Sequence, residues 1–92
     1  MIVCDDGRCT LRGPITIENV VFLLAQGSGL FTAPQVTVDL AAVAEVDSSA
    51  VSLLLEWRPE AERSGRSIRF VNLPDNLKSL AALYGVDGLI AG

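Results

Sequence analysis

The sequence predicts an α/β domain in which a mixed four-stranded sheet carries three main helices, in the order β-β-α-β-α-β-α. Three observations predict it. Asp6-Gly7 sits between two short runs, Ile2 to Cys4 and Arg8 to Arg12, and is a strong two-residue hairpin signal. Val36 to Leu40 reads as a buried strand followed, after a short loop, by a helix that opens at Asp47-Ser48-Ser49. Ser67 to Leu73 alternates and then runs apolar through Ile68, Phe70 and Val71, before a third set of residues at helical spacing. With 92 residues the chain makes one domain, residues 1–92, with room for a single modest core.

Taken in order, the Asp6-Gly7 turn pairs Asp5 with Arg8 and sets Cys4 opposite Cys9 in the closer, non-hydrogen-bonded register. A disulfide is geometrically open to them. Two reduced thiols are the expectation, because a chain that stays in the cytoplasm meets a reducing pool. Gly13-Pro14 breaks the second strand, and Thr16 can cap a helix whose stripe is Ile17, Val20, Val21, Leu23 and Leu24, ended by Gly27 and Gly29. That helix carries only Glu18 as a charge. Its outer face, Val21, Phe22 and Ala25, is therefore either covered by a partner or a second copy of the chain, as in a weak homodimer, or buried in the chain's own fold.

The central helix presents Val51, Leu54, Leu55 and Trp57, and Pro59 predicts a kink or an early end near Arg58. Strand, helix, strand implies a right-handed crossover and a parallel pair. Pro74-Asp75 then opens a helix with Leu77, Leu80, Ala81 and Tyr84 in line, closed by Gly85, and the tail from Val86 packs at one end.

Composition removes several functions. The net charge is −4 with seven scattered Lys and Arg, which suits no nucleic-acid phosphate backbone. There is no histidine, so the chain cannot build a Ser-His or Cys-His nucleophile pair or a His-rich metal site. Two cysteines do not close a tetrahedral zinc site, no GxxxxGK phosphate loop is present, and Asp47 has no second convergent carboxylate to work with as a general base. The expectation is a chain with no catalytic residue, metal or cofactor. No apolar run reaches the ~18 residues of a membrane span and the first residues lack signal-peptide character, so a cytoplasmic chain without membrane insertion is expected.

The feature that remains is a hydroxyl at a helix start. Asp47, Ser48 and Ser49 can each accept a bond from the free N–H groups there, where the helix dipole also favours negative charge. Ser48 is then either a contact residue or only a cap worth about 1 kcal/mol. Trp57 and Arg58 offer an aromatic and cationic pair of the kind favoured in interface hot spots, set against the more usual role of a tryptophan at such spacing, in the core. Glu56, Glu60, Glu62, Arg63 and Arg66 read as a solvated face, and Tyr84 as half-buried with its hydroxyl at the surface.

Val46-Asp47-Ser48-Ser49-Ala50-Val51 after a buried strand resembles the signature of STAS domains, the fold of bacterial anti-sigma-factor antagonists. Gly13-Pro14-Ile15-Thr16-Ile17-Glu18 and Phe70-Val71-Asn72-Leu73-Pro74 with Leu80-Ala81-Ala82-Leu83-Tyr84-Gly85-Val86 narrow the resemblance to the MlaB-type STAS subunits of phospholipid ABC transporters. It spans nearly the whole chain; Ala50 stands where the pattern usually has glycine. The resemblance implies a non-enzymatic subunit that binds an MlaF-like ATPase subunit, and through it a membrane permease, by way of the Ser48 loop and the start of the following helix. With Trp57 added for its hot-spot chemistry, the expected contact residues are Asp47, Ser48, Ser49, Val51 and Trp57. For the antagonists it implies instead that Ser48 is phosphorylated by a partner kinase. A phosphate there would lie on a helix N-terminus, with Asp47 beside it repelling the added charge.

Overall fold

In the computed structural model, which describes residues 1–90, the chain begins with β1 (Ile2–Asp5) and β2 (Arg8–Leu11), joined at Asp6-Gly7. Both turn residues have positive φ, 52° and 87°, as the tight turn that matches strand twist requires. The antiparallel register pairs Asp5 with Arg8 and Cys4 with Cys9, as the spacing predicts. One expectation is corrected here: Cys4 and Cys9 form a disulfide and are not free thiols. The turn sets them on directly opposed residues with their Cα atoms 4.0 Å apart, which brings the two sulfurs together.

A four-stranded sheet runs in the order β1-β2-β4-β6, with β4 (Gln35–Asp39) parallel to both β2 and β6 (Ser67–Val71). Alternation decides its two faces. Cys9, Leu11, Val36, Val38, Ile68 and Phe70 are buried on one, while Thr10, Thr37, Asp39 and Arg69 lie on the other and are more exposed. On the open face Asp39 accepts from Arg8 at 2.9 Å, Asn72 at 3.2 Å and the Ala41 amide at 3.0 Å, tying three strand ends together. A second, two-stranded parallel pair, β3 (Gly13–Ile15) with β5 (Val43–Val46), lies where the sequence reads as a strand break and a short loop.

The helices cover the buried face. The first, α1 (Val20–Leu30), starts later than Thr16 and runs through both Gly27 and Gly29. Its start is displaced because the Asn19 side chain accepts from the Thr16 amide at 3.0 Å and donates to Pro14 O at 2.9 Å, holding 16–19 as a turn. The central helix, α2 (Ser48–Arg63), continues past Pro59 and does not end near Arg58. Its buried row, Ala50, Val51, Leu53, Leu54, Trp57 and Ala61, faces both the sheet and α1. Packing over this row holds a helix that one missing hydrogen bond alone would weaken.

Trp57 is the centre of that contact. It is 1% exposed, meets Phe31 edge-on at a centroid distance of 4.9 Å, and its indole N–H donates to Leu24 O at 3.4 Å. The expectation of Trp57 as a partner contact is therefore corrected: a ring this enclosed offers no area to another chain. Its neighbour Arg58 turns back over the Phe70 ring, 5.6 Å from the centroid. The chain closes with α3 (Asp75–Leu83), a turn at Gly85 with φ 70°, and the short α4 (Asp87–Ile90), whose Ile90 is buried. The packed tail is thus present as a helical turn as far as Ile90, and its last two positions, 91 and 92, lie outside the described residues. Among the described residues no helix is long and apolar enough to cross a membrane, and no cluster of residues is able to hold a metal ion.

Candidate functional site at the start of the central helix

The site is built by the end of β5 and the first turn of α2. Asp47 is the N-cap, in extended conformation, and its carboxylate accepts from the Ser49 amide at 2.8 Å. The second carboxylate oxygen accepts from the Ile17 amide at 2.9 Å, while the Asp47 amide donates to Ile15 O at 3.2 Å. One residue thus locks the loop before α1 to the start of α2. The Ile17 amide, and then that of Ser49, hold the Asp47 carboxyl below its ordinary pKa.

With Asp47 serving as the cap, Ser48 is released from that duty. It is exposed. Its Oγ lies 2.6 Å from the phenol oxygen of Tyr84, the last residue before the Gly85 turn. The two hydroxyls close one side of a shallow hollow of about 180 Å³, lined also by Val51, Ser52, Leu55 and Val86. Ser49 is half-buried and Val51 only 3% exposed. Val51 therefore forms the floor of the hollow and is not a free contact, which corrects its expected place on the binding surface.

Of the five expected contact residues, the structure brings four to one place and sends Trp57 to the core. It adds others. Ile17, 73% exposed, stands over the loop whose amide Asp47 holds, and Leu83 is 76% exposed next to Tyr84. Val21 and Phe22, at 76% and 65%, continue the apolar surface along α1, so burial within the chain's own fold does not account for that face. Tyr84 was legible only as a half-exposed ring; no sequence spacing brings residue 84 to residue 48.

The site combines a polarised hydroxyl, an ionised carboxylate already satisfied by amides, and an apolar surround. Among the described residues, no carboxylate is bonded to the Ser48 hydroxyl, whose side-chain partner is Tyr84. Residues 4–91 match the family model described as "Mlab, STAS domain". A comparison with curated protein sequences finds no match. Among solved structures, the anti-sigma factor antagonist SpoIIAA in its unphosphorylated form aligns at TM-score 0.74 and 16% identity, over 96% of this chain and 82% of that one. SpoIIAA, the Bacillus cell fate determinant, in its phosphorylated form aligns at 0.68 and 14% identity, over 100% and 87%. The protein Mglu aligns at 0.61 and 18% identity over 84% of this chain, which spans 20% of the length of that one. At these identities the likeness is one of fold.

Proposed function

This chain belongs to the MlaB-type STAS domains, and from that premise we propose that it is a non-enzymatic subunit of an ABC-type phospholipid transport system. It binds and regulates the ATP-hydrolysing subunit through the Ser48 loop and the first turn of α2. It touches no lipid and reaches the inner membrane from the cytoplasmic side only through that ATPase and its permease. The observation that carries this reading is an exposed Ser48 whose hydroxyl is not spent on capping its helix and meets the half-exposed Tyr84, with exposed apolar side chains at Ile17, whose amide bonds Asp47, and at Leu83, next to Tyr84 in the chain. A polar centre in an apolar frame is the composition of a protein interface.

Affinity capture of the tagged chain from its native cells is expected to recover an ABC ATPase with its permease. Against that purified ATPase, Ser48→Ala removes one neutral hydrogen bond and is expected to weaken binding about 3- to 10-fold. Ser48→Glu adds a charge beside Asp47 and is expected to weaken it further. Unchanged affinity in both variants would place the interface elsewhere.

A second reading is favoured by the same exposed serine and by the likeness to SpoIIAA, a protein solved in phosphorylated and unphosphorylated forms. In it the chain is an anti-sigma-factor antagonist switched by phosphorylation of Ser48. Recovery of a serine kinase in the capture, and a mass gain of one phosphate lost in Ser48→Ala, would replace the transport reading by this one.

A further inference from the structure

The contact between Ser48 and Tyr84 joins two hydroxyls from elements far apart in sequence, at 2.6 Å, and one of them must donate to the other. The chemistry of the two groups decides which. A phenol, with pKa near 10, is a far better donor than an aliphatic alcohol, and delocalisation of its lone pair into the ring makes it the poorer acceptor. Both preferences put the phenol proton on the bond. The Ser48 hydroxyl then keeps its own proton free. It is not drawn inward: among the described residues the Ser48 hydroxyl bonds Tyr84 alone, while the neighbouring Asp47 carboxylate accepts from the amides of Ile17 and Ser49 and not from Ser48.

We infer that Tyr84 is a positioning residue that donates to Ser48 Oγ and thereby presents Ser48 as an outward hydrogen-bond donor, so that the group it meets on a partner is an acceptor, a backbone carbonyl or a carboxylate. This rests on the reading of Ser48 as a contact residue and adds to it the direction of the bond and a second residue. Tyr84 is well placed for the task. It is the C-cap of α3 just before the Gly85 turn, is 52% exposed, and lines the same hollow as Ser48 and Val51.

The chain has one tyrosine, so the polarity of the pair is readable in the isolated protein. In Raman spectra the relative intensity of the tyrosine doublet separates a donating phenol from an accepting one. The wild-type chain is expected to show a donor, and Ser48→Ala to shift the ratio toward that of a phenol in water. An accepting phenol, or a ratio indifferent to Ser48→Ala, overturns the inference. The second measurement is a double-mutant cycle on affinity for the purified ATPase, using Ser48→Ala, Tyr84→Phe and both together, with thermal midpoints confirming that each is folded. Each single variant is expected to weaken binding about 3- to 10-fold, and the double variant no further. If Ser48→Ala weakens binding while Tyr84→Phe does not, or if the two losses multiply, the positioning role is wrong although the Ser48 contact stands. If Ser48→Ala leaves affinity unchanged, the contact itself is wrong and the role of Tyr84 falls with it.

Discussion

At the scale of single residues, Asp47 decides what Ser48 is free to do. A carboxylate that accepts from two amides, one of them thirty residues away in sequence, binds its proton less readily in the folded chain than in the unfolded one. A depressed folded-state pKa means a contribution to stability that is present above the unfolded value, about 3.9, and is lost as pH falls through the folded one. Asp47→Asn keeps one acceptor but turns an amide group toward a second N–H. The variant is therefore expected to melt below the wild type at pH 7, and the gap to close as the pH is lowered from 4 toward 2. Thermal midpoints across that range check it. Both proteins should still lose stability in acid, since Asp39 is depressed as well, chiefly by the Ala41 amide and the Asn72 side chain. A gap of constant size would mean that the Asp47 side chain acts through shape and not through charge.

At the scale of elements, the contact between α1 and α2 turns on a glycine. Reading Gly27 as a helix terminator follows from its usual role, yet it lies inside α1 and buried. A Cβ built there meets Trp57 Nε1 at 2.6 Å and Cε2 at 2.7 Å, against a ring with no room to retreat. Gly29, two residues on, meets nothing within 4 Å. Gly27→Ala is expected to lower the unfolding free energy by about 1–2 kcal/mol, the overpacking outweighing the ~1 kcal/mol of helix propensity that alanine gains. Gly29→Ala is expected to raise it by up to ~1 kcal/mol. Urea midpoints of the two variants check both signs. The pair also marks where sequence reasoning stops. The Asp6-Gly7 turn, the strand at Val36 and the Asp47 cap were legible because local chemistry fixes each of them. Gly27 and Trp57 were not, because their meanings depend on each other across thirty residues. Nor were β3 and β5, three and four residues long, whose pairing is set by the loop Asp47 anchors and not by any alternation of their own. In the site, Ser48 stood out as a helix-start hydroxyl, whereas its partner Tyr84 needed the fold.

At the scale of the whole molecule, the disulfide and the proposed place of work pull in opposite directions. A subunit that sits on the cytoplasmic side of a membrane meets a thiol pool that opens most disulfides, so the working form there is the one with Cys4 and Cys9 reduced. The sheet order says what that form retains. Since β1 is the edge strand and β2 is also bonded to β4, opening the sulfur bridge leaves the backbone ladders between β1 and β2 and between β2 and β4 in place. Cys9 becomes a small buried apolar side chain, which suits a thiol. The loop closed by the bridge is short, with a sequence separation of 5, so the chain entropy at stake is about 2 kcal/mol at most. Urea unfolding with and without a dithiol reductant is expected to show one cooperative transition in both cases, displaced by no more than that amount. Binding to the proposed ATPase partner is expected to be equal in the two forms, because Ser48 opens α2 and Tyr84 caps α3, elements separate from the hairpin that carries the bridge. A reduced chain that has lost its fold would show instead that the bridge is a requirement, and that the protein works where disulfides persist, which the transport reading does not allow.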